Sequence, residues 1–371
     1  MLFNSIEYLF FLPFIFIVYW KFKYNIIVQN VIVLSSSYFF YGLWNYKFLS
    51  LIIISTVCDF TIAKLISSNN NKIKKKTYLL ISIIINIGIL FIFKYYNFFI
   101  DSLINLLNLF EIQSNFTTLN IILPVGISFY TFQTLSYTID VYRNQIKATD
   151  NLLNFATFVA YFPQLVAGPI ERASNLLPQF NKTKSFNYLQ AKDGLRQIIW
   201  GLFKKVVIAD NCANYVNVIF ENSNELHGPI LIIGAILFAF QIYGDFSGYS
   251  DIAIGSSKLL GIKLKQNFAT PYFSRNIAEF WRRWHISLSS WFRDYVYIPL
   301  GGSKRGQRIQ FRNILIIFLV SALWHGANWT FIIWGILHTS LYLPQFILKT
   351  NRKHTNNIES TIPSIKECLS I

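Results

Sequence analysis

Phe311-Arg-Asn-Ile-Leu-Ile-Ile-Phe-Leu-Val-Ser-Ala-Leu-Trp-His-Gly-Ala-Asn-Trp329 decides how this chain is read. It opens an apolar run, 311–348, that is long enough for two membrane helices and is interrupted around His325. From Arg312 to His325 is thirteen residues, about 20 Å of helix at roughly 1.5 Å per residue. The hydrocarbon core of a bilayer is about 30 Å thick, so a helix that starts at the interface carries the imidazole near the middle. Titratable groups at that depth are costly, and they face a cavity or a polar partner rather than lipid. His325 therefore points to chemistry inside a membrane, with a base reached from the cytosolic side. His338 shares the run but lacks the surround of Trp324, Gly326, Asn328 and Trp329, and it ranks well below.

Composition agrees with a membrane fold. Hydrophobic residues make up 53% of the 371 and charged residues 13%, about half the charged share of a soluble domain. Further apolar runs of spanning length lie at 5–20, 26–44, 48–66, 77–93, 121–139, 152–168 and 229–255. Weaker ones at 98–110 and 195–209 bring the expected count to about ten. Only helices and closed barrels satisfy their backbone in lipid, so the expectation is an all-α polytopic bundle over 1–349, followed by a polar tail, 350–371. The first run has no small-residue cleavage site after it and reads as a retained helix.

The formal charge of +16 is not a nucleic-acid signature here. Residues 258–312 hold eleven Lys/Arg against Glu279 and Asp294, a net of +9, and 69–76 hold four more cations. Such clusters beside apolar helices read as cytoplasmic loops facing anionic lipid. Segment 221–227 has two acids and no Lys or Arg, which suits the opposite face, so the helix 229–255 runs from outside to inside. Lys94 and Asp101 assign no side. The three cysteines have no metal-type spacing, so neither a zinc site nor a disulfide framework is expected. No internal repeat is visible, which weighs against transporters built from inverted halves.

Two more segments carry chemistry. In Phe280-Trp-Arg-Arg-Trp-His-Ile-Ser-Leu-Ser-Ser-Trp-Phe-Arg-Asp294, helical spacing puts Trp281, Trp284, His285, Leu288, Trp291 and Phe292 on one stripe, with Arg282, Arg283 and Arg293 mostly opposite. The pattern predicts one interfacial amphipathic helix near 280–294. A plain membrane anchor explains it too, except that His285 on the apolar face needs a polar partner. In Gln241-Ile-Tyr-Gly-Asp-Phe-Ser-Gly-Tyr-Ser-Asp251, Asp245 follows an apolar run, and an intramembrane carboxylate serves either substrate binding or bundle packing. The small residues Gly244, Ser247, Gly248 and Ser250 allow close helix contact or a break.

With these residues in hand, the chain resembles the membrane-bound O-acyltransferase (MBOAT) family. The matching stretches are Leu123-Pro-Val-Gly-Ile-Ser-Phe-Tyr-Thr-Phe132, Tyr161-Phe-Pro-Gln-Leu-Val-Ala-Gly-Pro-Ile170, Asp245-Phe-Ser-Gly-Tyr-Ser-Asp251, Trp281-Arg-Arg-Trp-His-Ile-Ser287, Tyr297-Ile-Pro-Leu-Gly-Gly302 and Trp324-His-Gly326. The run after Tyr297 is similar to the branch that acetylates alginate and peptidoglycan, more than to the branch that D-alanylates teichoic acid. The resemblance implies acyl transfer from a cytosolic thioester, acetyl-CoA, toward a hydroxyl of a polysaccharide outside, with no bound cofactor or metal. It implies a bacterial inner-membrane location and a separate extracytoplasmic acetyltransferase as partner. His325 matches the position regarded as catalytic, and His285 the second histidine. Trp281, Arg282, Trp284, Asp245, Trp324 and Asn328 are the candidate substrate-binding residues. A cytosolic funnel lined by the Trp281–Trp291 stripe is expected to reach His325. Family members continue with further helices after the Trp-His-Gly segment, so the resemblance also implies a C-terminally shortened chain. A polysaccharide transporter or channel, a D-alanyl transferase fed by a carrier-protein thioester, and an inactive relic remain as rival readings.

Overall fold

Asparagine opens many of the helices. Asn25, Asn71, Asn151, Asn187, Asn276 and Asn328 each precede a helix, and each side-chain oxygen accepts from a backbone N–H two or three residues on. Those N–H groups have no partner inside the helix, and one cap contributes about 0.5–2 kcal/mol. The computed structural model describes residues 1–350 except 114, 115, 120 and 167, so the expected polar tail lies outside the described residues. Among these residues all regular structure is helical.

Among the described residues, four helical stretches are long and apolar enough to cross a membrane: Ile26–Ser68, Lys72–Leu109, Gly228–Leu259 and Trp329–Ile347, with mean hydropathies of 1.9, 2.1, 1.8 and 1.2. The run 311–348 divides as expected into Gln307–His325 and Trp329–Ile347. Runs 77–93 and 98–110 are joined into one stretch through a wider π turn, Phe91–Tyr95. Run 152–168 does not form one helix. Leu152–Ala160 is nine residues long, about 13 Å, and the chain turns at Tyr161 before the short Phe162–Leu165. Pro163 sits in the first turn of that piece, where its missing N–H costs nothing.

The chain divides into two units, Met1–Ser68 with Ile139–Gln266, and Asn69–Thr138 with the residues from Asn267 onward. In the first unit, helix Gly228–Leu259 lies against Tyr188–Leu202 with backbones nearly touching. A Cβ on Gly201 would stand 2.7 Å from Gly248 O, and one on Gly255 would stand 2.5 Å from Gly194 O. These small residues thus serve close packing, not a helix break. Gly201→Leu is expected to lower the thermal midpoint of the detergent-solubilised protein, because overpacking a close contact costs about 1–3 kcal/mol. An unchanged midpoint would mean that the two helices are not packed at these glycines.

In the second unit, Ser82 Oγ donates to Thr138 Oγ1 at 3.1 Å and Thr134 Oγ1 to Asn86 Oδ1 at 3.1 Å, which ties Lys72–Leu90 to Ile127–Tyr142. Ile314, Phe318 and Phe346 form an apolar cluster against Trp281, Tyr297 and Tyr342. The expected single helix at 280–294 is two helices of seven residues, Ile277–Arg283 and Ile286–Phe292. They are parted at His285, whose φ of 45° and ψ of 56° are left-handed. The stripe is therefore not one face. Trp284 and Trp291 are buried while Trp281 is only half-buried, and Arg283, assigned to the polar side by helical spacing, is fully buried.

Candidate active site

Two histidines of the second unit flank one indole. His325 is the last residue of helix Gln307–His325, and its ring centroid lies 5.1 Å from that of Trp324. On the other side, Trp324 meets His285 edge-on at 5.6 Å. Phe129 packs at 5.4 Å from Trp324 and 6.3 Å from His285. It comes from the Leu123–Phe132 motif, so three sequence motifs converge on this spot.

His285 is buried, at 1% exposure, and its orientation is set by Asn267. Asn267 Oδ1 lies 3.1 Å from His285 Nδ1, 2.9 Å from Ser287 Oγ and 3.3 Å from Ser287 N. A backbone amide can only donate, so this Asn267 atom is the acceptor, and Nδ1 carries the imidazole proton. The lone pair is left on Nε2. Ile286 N also donates to Asn267 O at 2.9 Å, which holds the chain on both sides of the left-handed residue. Backbone in that region is strained for a residue with a Cβ, and such strain gathers at functional sites.

His325 is half-buried, against Trp334 at 5.3 Å and Phe331 at 6.4 Å. The ring series continues from Trp334 to His338 at 4.5 Å and from His338 to Trp281 at 5.0 Å. Trp281 in turn lines a cavity of about 330 Å³ with Arg282, Ser289, Arg293, Tyr297 and Phe318. Of the expected Trp281–Trp291 stripe only Trp281 lines this cavity, with Arg282 and Arg293 as its cations. Its lining includes neither His325 nor His285, so the expected open funnel ends at Trp281 and Phe318, with His338 and Trp334 between it and His325. His338, ranked low on its sequence, stands at this junction.

The other expected residues divide. Trp284 packs against Phe268 at 5.1 Å and Phe280 at 5.5 Å and does not line the cavity. Asn328 is an exposed cap whose Oδ1 accepts from Thr330 N at 2.9 Å. Asp245 belongs to the first unit, where Lys205 pairs with it at 2.5 Å and with Asp210 at 2.8 Å. Asp251 of the same motif pairs with Lys204, and both lysines come from the π turn Phe203–Ala209. Two residues were missed: Asn267, and Lys94, whose Nζ donates to Trp324 O and reaches Ser128 Oγ at 3.3 Å. The signal of Lys94 in the sequence is a lone cation between the apolar runs 77–93 and 98–110.

The family model of the membrane-bound O-acyltransferases matches residues 39–362. The chain belongs to that family. Among curated relatives it is 42% identical to a probable alginate O-acetylase of Azotobacter vinelandii, over 84% of this chain and 62% of that protein. It is 39% identical to the peptidoglycan O-acetyltransferase of Helicobacter pylori, over 91% of this chain and 69% of that one. Similarity to the teichoic acid D-alanyltransferase of Bacillus subtilis is lower, 31% over 63% of the chain. This MBOAT chain thus spans about 60% of the length of the alginate acetylases it matches. Family membership makes it a membrane-bound protein, as its apolar helices require.

Proposed function

We propose that this chain is an O-acyltransferase that moves an acetyl group from a cytosolic thioester, acetyl-CoA, across the bilayer for O-acetylation of a cell-surface or secreted polysaccharide of the alginate or peptidoglycan kind. The observation that carries the reading is the pair of imidazoles on either side of Trp324, at 5.6 and 5.1 Å, within the family's motifs. In the reaction an acceptor hydroxyl oxygen attacks the thioester carbonyl and gives its proton to His325. The carbon–sulfur bond then breaks, and the thiolate leaves as the thiol after taking a proton. A neutral imidazole suits that task near pH 7. Trp324 Nε1 is buried without an acceptor among the described residues, and the carbonyl oxygen of the reacting ester supplies one. Arg282 and Arg293 at the cavity attract the phosphates of the donor.

On this reading the chain sits in the bacterial inner membrane with about ten membrane helices or re-entrant segments, and an extracytoplasmic acetyltransferase places the group on the glycan. Inverted membrane vesicles given acetyl-labelled CoA should pass label to the acceptor polysaccharide. Label passing only from a D-alanyl carrier-protein thioester would move the chain to the teichoic-acid branch, and glycan flux without acyl transfer would favour a channel. For topology, a cysteine probe at Asn224 is expected to react in intact cells and one at Ser303 to stay protected, because the charge asymmetry is large over short loops. The reverse labelling would remove the cytosolic donor route.

A further inference from the structure

We infer that Lys94 is a positioning residue for His325: the π turn Phe91–Tyr95 sends two side chains to the end of the helix that carries the imidazole and fixes it there. The inference rests on the acyl-transfer reading above. The last carbonyls of a helix have no partner inside it. In Gln307–His325 they are taken one by one. Ala322 O accepts from Gly326 N at 3.2 Å, Leu323 O accepts from Tyr95 Oη at 2.8 Å, and Trp324 O accepts from Lys94 Nζ. Two successive residues of one helix therefore cap the C-terminus of another, more than two hundred residues away in sequence.

In a regular α-helix, consecutive side chains diverge by about 100°, so it is notable for the geometry that Lys94 and Tyr95 sit together where the helix widens. π turns of this kind are frequent at functional sites. Lys94 is also held from the side by Ser128 Oγ at 3.3 Å, and its ammonium stands 5.7 Å from the Trp324 ring. It thus contacts the backbone and the ring of the residue lying between the two histidines. A cation in an apolar helix is costly unless it meets a polar partner, and the negative end of a helix is a favourable one. The ammonium carries three donors, enough for Trp324 O and Ser128 Oγ together, while the imidazole beside it stays half-buried.

The test uses the full-length chain with acetyl-CoA as donor. Lys94→Met keeps the length of the side chain and removes the donor. It is expected to lower kcat by about 10–100-fold with KM for acetyl-CoA unchanged, since a misplacement of 1 Å can cost that much. Lys94→Arg should recover most of the rate, and Tyr95→Phe should lose less than Lys94→Met. A purely structural role would lower protein yield and thermal midpoint together while leaving kcat per folded molecule intact, and that result overturns the proposal. If Lys94→Met does not insert, Tyr95→Phe carries the comparison: a fall in kcat per folded molecule sustains the proposal and an unchanged kcat overturns it. An independent readout is the rate at which diethyl pyrocarbonate modifies His325, followed by mass spectrometry of its peptide. A wild type without transfer activity refutes the acyltransferase reading. In that case a His325 modification rate equal in wild type and Lys94→Met overturns the positioning role as well, and a several-fold difference sustains it.

Discussion

Replacing His325 by alanine is expected to reduce acyl transfer by about 10²–10⁴-fold, the usual loss when a general base is removed. The protein should still insert and accumulate normally. His325 ends its helix and is half-buried, so its removal costs ring contacts with Trp324 and Trp334 and opens no large cavity in a packed core. Acetylation of the polysaccharide, measured at matched protein levels, gives the answer. Normal acetylation in the variant rules out the general-base role. His285 needs a different substitution. Alanine at a φ of 45° adds backbone strain to the loss of the imidazole, whereas asparagine tolerates the left-handed region. His285→Asn is therefore the cleaner variant, and its transfer rate should fall strongly without vanishing.

The break at His325 was legible because Gly326 and Asn328 are helix-ending and helix-starting residues in an otherwise apolar run. His285 and His325 were visible separately, as histidines in apolar surroundings, and the geometry that sets them on either side of Trp324 was not. Helical spacing assumes a continuous helix, and nothing in Trp284-His-Ile286 marks a histidine with positive φ, so the wheel placed Arg283 in water when it is buried. Run 152–168 misled for a similar reason: its composition is that of a span, and the turn at Tyr161 outweighs it. Lys94 could be noticed in the sequence, but its partner lies 230 positions away, beyond the reach of local pattern.

The buried pair Glu279–Arg283 should be the most sensitive point for stability. Glu279 is 1% exposed, and its carboxylate takes Arg275 at 2.9 Å and Arg283 at 2.8 Å. Arg283, 2% exposed, also reaches Ala269 O at 3.4 Å and Thr270 Oγ1 at 3.3 Å. Burial works against the charged carboxylate, but hydrogen bonds from Arg275 and the charge of Arg283 hold it down to about 2. Glu279→Gln leaves the Arg283 cation buried without its counter-charge, and breaking such a pair from one side costs about 3–5 kcal/mol. Thermal unfolding in detergent at pH 7 should show a clear fall in midpoint. The pH dependence follows from the sign of the shift. A carboxylate held below its unfolded value of about 4.3 contributes stability above that pH, and the contribution is lost as pH falls toward 2. The gap between wild type and Glu279→Gln should therefore narrow between about pH 4.5 and pH 2. Equal midpoints at pH 7 would show that the pair contributes nothing. Removing Arg283 as well, as in Glu279→Met with Arg283→Met, should recover part of the loss, because the fully buried cation is gone and only the less buried Arg275 loses its carboxylate. The consequence reaches the site: this helix carries Trp281 and Arg282 to the cavity and ends one residue before Trp284 and two before His285. Loss of the Glu279 charge should therefore displace the histidine as well as loosen the helix, and transfer should fall before the protein melts.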